Sequence, residues 1–164
     1  EDRLTALLIL VYKYQFSEND EESKKIVSFY LENHHYGNNW GLIDGIADKI
    51  LGPWLIDRDK KILYEFALSD NLWEKRIAVI TTLHFIKHKM YDDTIKISEI
   101  LLLDTHDLIH KAVGWMLREV GKREIKVLEQ FLKKHYKKMP RTMLRYAIEK
   151  FDDEKRKKYL KGDV

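Results

Sequence analysis

Trp40 and Asp44 lie four residues apart, and this pair is the first place in the chain where side-chain types and spacing suggest chemistry. On a helix, residues at that spacing lie side by side on one face, so an indole would flank a carboxylate. A carboxylate held in place can act as a general base or stabilise positive charge. Alone, however, such an acid is usually a solvated surface group and such a tryptophan is usually core.

Basic and aromatic side chains recur on three further segments. Arginine and lysine suit phosphate, while tryptophan stacks on bases or packs against sugars, so a groove lined by them has the composition of a nucleic-acid site. An acid in such a groove would repel phosphate, and Asp44 therefore calls for a specific role. The residues are Arg76, His84 and Lys87 on the first segment, Lys111, Trp115 and Arg118 on the second, and Arg141 and Arg145 on the third.

The elements that position these residues are predicted to be helices. Apolar residues recur at helical spacing, and no segment shows sustained alternation with a period of two, so the chain is predicted to be all-α. Two prolines and seven glycines also favour long helices over a turn-rich sheet. The predicted helices are 2–16, 21–33, 40–52, 58–68, 72–88, 93–103, 107–121, 123–136, 140–150 and 152–160, with a loop at 34–38.

Helix termini carry recognisable signals. Asn39 is predicted to cap the helix that bears Trp40 and Asp44, and Asp70-Asn71 is predicted to cap the helix that bears Arg76. Gly52-Pro53 is predicted to end the former helix, because glycine suits the C-terminal cap and proline cannot continue. Pro140 suits the start of the helix that carries the last arginines.

The helical pairs resemble one another. The segments RIAV at 76–79 and HKAV at 110–113 are similar and lie 34 residues apart. A third similar segment, RYA at 145–147, follows about one period later, and RLTA at 3–6 is a weaker match near the start. A period of this length with two helices per unit predicts an α-solenoid of HEAT-like helical hairpins. We expect residues 1–164 to form a single domain of such repeats, lacking N-terminal repeats.

Composition narrows the classes of function. The 164 residues carry a formal net charge of +3 with 35% charged residues, and no apolar run approaches the roughly 20 residues of a membrane helix. The absence of cysteine excludes disulfides and thiol catalysis. His106 and His110 have the spacing of a zinc-protease helix, but Asp107 replaces the usual glutamate and no third ligand is evident, so we expect no metal.

Four segments resemble the AlkD-like DNA alkylation repair glycosylases: NWGLID at 39–44, WEKRIA at 73–78, KAVGWMLRE at 111–119 and MPRTMLRYA at 139–147. Their order and spacing cover nearly the whole chain. The resemblance implies a HEAT-like solenoid that excises positively charged alkylpurines, such as 7-methylguanine and 3-methyladenine, from double-stranded DNA in base excision repair. It implies no metal, no cofactor and no membrane, and we expect a monomer in a prokaryotic-type cytoplasm, associated with the nucleoid.

Residue by residue, the resemblance implies that Asp44 is the catalytic carboxylate and that Trp40 and Trp115 pack around the lesion nucleotide. It implies that Arg76 lies beside them and holds a backbone phosphate. The expected DNA-binding residues are Lys111, Arg118, Arg141, Arg145, His84 and Lys87. There are two departures from the family pattern. The resemblance leads us to expect more N-terminal repeats than this sequence contains. A DNA-binding lysine of the family corresponds to His84 here, and Lys87 could substitute for it one turn later.

The implied chemistry suits a fixed carboxylate. An alkylated purine is already cationic and leaves without protonation, while positive charge develops on the deoxyribose and would be stabilised by Asp44. The alternative, from a different functional class, is a non-catalytic helical-repeat module that binds DNA or protein. Replacing Asp44 by asparagine separates these hypotheses, because only an enzyme would lose turnover.

Overall fold

The computed structural model describes residues 2–163, and this part of the chain contains eleven α-helices, one short 3-10 helix at His34–Tyr36 and no strand. The all-α prediction is therefore confirmed. The helices are α1 Asp2–Gln15, α2 Asp20–Asn33, α3 Trp40–Asp44, α4 Ala47–Leu55, α5 Lys61–Leu68, α6 Leu72–Lys87, α7 Asp92–Ile100, α8 Asp107–Arg123, α9 Ile125–His135, α10 Arg141–Ala147 and α11 Asp153–Lys161.

Alternate helices form two layers. In the front layer, α4, α6, α8 and α10 pack side by side in that order, and in the back layer α5 and α7 pack against each other. Helices α5 and α7 also pack on α6, and α9 packs on α8. The front helices α6, α8 and α10 begin at residues 72, 107 and 141, which matches the repeat period predicted from the sequence. The predicted helical-repeat solenoid is thus confirmed.

Helix α6 is the centre of the packing. Its buried residues include Ile77, Val79, Ile80 and Phe85, which point in different directions around the helix axis. A helix that is apolar nearly all round must be enclosed by other elements, and α3, α4, α5, α7 and α8 all pack on α6. Arg76 projects from this enclosed helix, so its backbone is firmly held.

The prediction of one helix from Trp40 to Gly52 is wrong. The chain turns at Gly45 and Ile46, so α3 ends at Asp44 and a second helix, α4, continues through Pro53 to Leu55. Gly52 does not end α4 but lets it approach α6, because a Cβ at residue 52 would lie 2.3 Å from the His84 Cβ. The glycine therefore serves helix packing rather than helix termination.

Other helix termini are closer to expectation. The Asn39 side chain accepts from the Leu42 N–H at 3.0 Å, and Asn71 accepts from the Trp73 N–H at 2.8 Å, so both predicted caps are confirmed. Helix α8 runs beyond Gly121, because that glycine also lies at a packing contact, where a Cβ would be 2.4 Å from the Leu128 Cδ2. Helices α5, α7 and α10 are shorter than predicted, and the predicted loop at 34–38 contains the 3-10 helix.

The contact between α8 and α10 predicts the effect of a single methyl group. A Cβ at Gly114 would lie 2.5 Å from the Tyr146 Cβ and 2.6 Å from the Met143 carbonyl oxygen, and the latter cannot move without separating the helices. We expect Gly114→Ala to lower the free energy of unfolding by about 1–3 kcal/mol in urea denaturation. The matched control is Gly45→Ala, whose Cβ would meet nothing closer than 3.7 Å and should be nearly neutral. Equal stabilities of the two variants would contradict this account of the interface.

Candidate active site

Asp44 and Arg76 form a two-pronged ion pair between α3 and α6. The Arg76 Nε donates to the Asp44 Oδ1 at 2.8 Å, and the Arg76 Nη2 donates to the Asp44 Oδ2 at 2.6 Å. This fork-to-fork geometry fixes the plane of the carboxylate as well as its position. The last residue of a five-residue helix is thereby attached to the central helix of the fold.

Arg76 also links this pair to a third helix. Its Nη1 donates to the Leu108 carbonyl oxygen in the first turn of α8. The Arg76 side chain is only 6% exposed, whereas the Asp44 side chain is 17% exposed. The arginine is therefore the enclosed partner, and the carboxylate is the partner that reaches solvent.

The pairing leaves Asp44 with unused acceptor capacity. An ionised carboxylate has about four lone-pair positions, and the guanidinium occupies one on each oxygen. The remaining positions can accept from water or face a positively charged group. The site thus presents an oriented carboxylate whose charge is partly balanced from behind by Arg76.

The two tryptophans predicted to flank this carboxylate differ in exposure. Trp40 begins α3, one turn before Asp44, and is 59% exposed. Trp115 is half-buried in the middle of α8 and packs against the core. It lies two turns after Leu108, roughly 10 Å along the helix axis. The structure places Trp40 beside Asp44 in α3 and Trp115 on the same helix as the carbonyl that Arg76 contacts.

Most of the cations predicted to bind DNA are already engaged. The Lys111 Nζ lies 2.6 Å from the Asp107 Oδ2, the Lys87 Nζ lies 2.8 Å from the Asp48 Oδ2, and Arg118 pairs with Glu149. Arg141 donates to the Leu160 carbonyl oxygen at 2.5 Å. Arg145 is exposed and lines a pocket next to Lys111. A DNA phosphate would have to share or displace most of these internal partners.

His84 differs from the lysine it replaces. It is half-buried where α6 meets Gly52 of α4. Burial lowers the pKa of His84 from its ordinary value, and the positive charges of His88 and Lys87 lower it further. This environment disfavours the charged imidazole, so His84 is a poorer phosphate ligand than the lysine it replaces.

Several polar residues around the site escaped sequence reasoning. The pocket beside Lys111 is also lined by Asp107, Thr142, Tyr146, Glu149 and Arg156. The Asp44–Arg76 pairing was missed as well, although a signal for it exists in the sequence. The two residues are 32 positions apart, and Arg76 and Leu108 are separated by the same number. Separations close to the repeat period are those expected of contacts between neighbouring repeats.

Comparison with protein families places this geometry in context. A family model described as DNA alkylation repair enzyme matches residues 1–151. The chain belongs to the DNA alkylation repair enzyme family. The matched region contains Asp44, Arg76 and Trp115 and ends before α11. No curated protein and no solved structure shows a significant match to this chain. Family membership supports an enzyme that acts in the repair of alkylated DNA.

The two histidines with metal-ligand spacing have structural partners. The His106 Nδ1 accepts from the Leu108 N–H and caps α8, while the His110 Nε2 donates to the Asp104 carbonyl oxygen at 2.5 Å. Within residues 2–163, no group of three or more histidine, aspartate or glutamate side chains is arranged to hold a metal ion. No helix in the same range is long and apolar enough to cross a membrane.

The enclosed ion pair predicts a large stability effect at Arg76. We expect Arg76→Gln to lower the free energy of unfolding by about 3 kcal/mol, because it leaves Asp44 and the Leu108 carbonyl without their partner. Urea denaturation followed by circular dichroism measures this loss. The matched control is Lys61→Gln, which breaks an exposed pair with Glu65 and should cost about 0.5 kcal/mol or less. Similar losses in both variants would contradict the anchoring role of Arg76.

Proposed function

We propose that this protein is a monofunctional DNA glycosylase that hydrolyses the N-glycosidic bond of positively charged alkylpurines, such as 7-methylguanine and 3-methyladenine. The observation that carries the proposal is the Asp44 carboxylate, oriented by Arg76 and accessible to solvent in a member of a DNA alkylation repair family. In this proposal Asp44 is the catalytic residue, Arg76 is its positioning residue, and no metal or cofactor takes part.

The substrate's own charge makes a protein acid unnecessary. A purine alkylated at N7 or N3 leaves as a neutral base, taking the electron pair of the glycosidic bond with it. Positive charge then develops on the deoxyribose, and a nearby carboxylate stabilises that charge. Water adds to the sugar C1′ and loses a proton, for which Asp44 is the acceptor closest to the reaction. The products are the free base and an abasic site.

The size of this electrostatic effect fits a labile bond. Two unit charges 4 Å apart attract by about 4 kcal/mol at an effective dielectric constant of 20, which corresponds to about three decades of rate. The Arg76 guanidinium opposes this attraction, because its positive charge lies directly behind the carboxylate. The remaining stabilisation suffices for a cationic base that is already a good leaving group. It is too small for an undamaged nucleotide, which provides selectivity.

The tryptophans are proposed to contact the lesion nucleotide. Trp40 is mostly exposed and Trp115 half-exposed, so their rings can pack on a sugar or base without a closed pocket. Such an arrangement does not require the base to be enclosed, unlike the flipped-base pockets of many glycosylases. It would therefore also tolerate bulky cationic adducts.

Release of 7-methylguanine from methylated duplex DNA tests the proposal. We expect the wild-type chain to release the base and Asp44→Asn to release it about 10²–10³-fold more slowly, because asparagine cannot stabilise the developing cation. DNA affinity should stay the same or rise, since one negative charge is removed from the binding face. The measurement is single-turnover base release by chromatography, alongside fluorescence anisotropy for DNA binding.

The matched control is Asp57→Asn, which removes the same charge from an exposed position after α4 and should leave release unchanged. Circular dichroism of each variant shows whether it is folded. Release that is equal in Asp44→Asn and the wild type would contradict the catalytic role of Asp44. No release from the wild-type chain, together with retained DNA affinity, would favour the non-catalytic binding module instead.

A further inference from the structure

A polar pocket lies between α8, α10 and α11, in the repeat next to the Asp44–Arg76 pair. Its lining includes three cations and two carboxylates, so its formal charge is one positive unit. A phosphodiester carries one negative charge and accepts hydrogen bonds on its oxygens. The lining residues are Asp107, Lys111, Thr142, Arg145, Tyr146, Glu149 and Arg156.

The two arginines in this pocket have no carboxylate partner within residues 2–163. Asp107 is occupied by Lys111 at 2.6 Å, and Glu149 is occupied by Arg118 and by Lys150 at 3.2 Å. No ion pair involving Arg145 or Arg156 is formed in this range. Both carboxylates of the pocket are therefore paired with other cations, and Arg145 and Arg156 are available to bind an anionic ligand.

Arg156 has a further feature that indicates an anion. Its Nε is buried and has no hydrogen-bond partner among the described residues. A buried N–H donor without an acceptor is unfavourable, and most such donors in proteins are paired. Arginine presents its donors as a planar fork that fits the oxygens of a phosphate. A phosphate in the pocket would give the Arg156 guanidinium a hydrogen-bond acceptor once the side chain turned its covered Nε edge toward the pocket.

The pocket is close to the proposed catalytic pair. Lys111 lies one turn after Leu108, the residue whose carbonyl accepts from Arg76. Residues three positions apart lie on the same face of a helix, so Lys111 follows the Arg76 contact along one face of α8. A phosphate in the pocket would therefore lie about one turn along α8 from the carbonyl that anchors Arg76.

We propose that this pocket binds a backbone phosphate of DNA near the lesion nucleotide, with Arg145 and Arg156 as its principal cationic contacts. The inference rests on the proposed function and adds a phosphate-binding residue, Arg156, that lies on α11, beyond the region matched by the family model. It assigns to α11 the task of closing a DNA-binding site formed mainly by α8 and α10.

Binding of a duplex that carries one tetrahydrofuran abasic analogue tests the pocket, with fluorescence anisotropy as the readout. We expect Arg156→Gln to weaken binding about tenfold and to reduce the slope of log affinity against log salt by about one. The matched control is Lys157→Gln, which removes the same charge from the next, exposed position on α11 and should change affinity less than twofold. Thermal unfolding of each variant confirms that it is folded.

Replacing single phosphates by neutral methylphosphonates identifies the partner. One position near the abasic analogue should weaken wild-type binding about tenfold and cause no further loss in Arg156→Gln. Equal affinities of Arg156→Gln and Lys157→Gln would overturn the proposal. A second pair of results would also overturn it. Inorganic phosphate at constant ionic strength would raise the Tm of the wild type but not of Arg156→Gln, and every methylphosphonate position would weaken the binding of both proteins equally. That result would assign the pocket to free phosphate.

The outcome is independent of the proposed glycosylase activity. Binding to the abasic analogue requires no base release, and release of 7-methylguanine is measured separately with Asp44→Asn. If Asp44→Asn abolishes release while Arg156→Gln binds DNA like the control, the phosphate pocket is refuted and the glycosylase stands. If Arg156→Gln behaves as expected but the wild type releases no base, the pocket stands and the glycosylase is refuted.

Discussion

The ion pair between Asp44 and Arg76 is the interaction on which the arrangement of the site depends. It attaches the end of a five-residue helix to α6, and the same guanidinium reaches the Leu108 carbonyl in α8. One side chain therefore holds three helices, α3, α6 and α8, in position relative to one another. Because Arg76 is enclosed and Asp44 reaches solvent, the pair gives the carboxylate a fixed direction without removing it from a substrate's reach. A free aspartate at the end of so short a helix would lack this orientation.

The same front layer shows a consistent balance of charge. Lys111, Arg118 and Lys87 each pair with a carboxylate, so the face proposed to bind DNA carries many cations but little unpaired positive charge. Affinity for undamaged DNA should therefore be modest, because each phosphate competes with an internal acid. Weak general binding would suit an enzyme that must examine many normal nucleotides for each lesion. Arg145 and Arg156 stand out against this background, because they lack such partners among residues 2–163.

Close helix packing explains both the confirmed architecture and the errors in helix boundaries. Gly52, Gly114 and Gly121 each lie where a neighbouring helix or side chain would clash with a Cβ. Sequence patterns predict helix ends at Gly52 and Gly121, because glycine is common after a helix and also occurs where helices approach closely. Local sequence patterns correctly predicted helix ends where the hydrogen bond is also local. In the Asn39 and Asn71 caps, acceptor and donor are two or three residues apart.

The sequence by itself determined the all-α class, the solenoid and its period of about 34 residues, because helical periodicity and repetition are properties of the chain in one dimension. It also singled out Asp44, Trp40, Arg76 and Trp115 as candidates, through their types and the family they resemble. Only the tertiary structure decided that Arg76 holds Asp44, that His84 is half-buried, and that Arg156 joins Lys111 and Arg145 around one pocket. These relations depend on how neighbouring repeats are rotated and spaced. That geometry is set by packing between helices that are distant in sequence, and no short segment of the sequence encodes it.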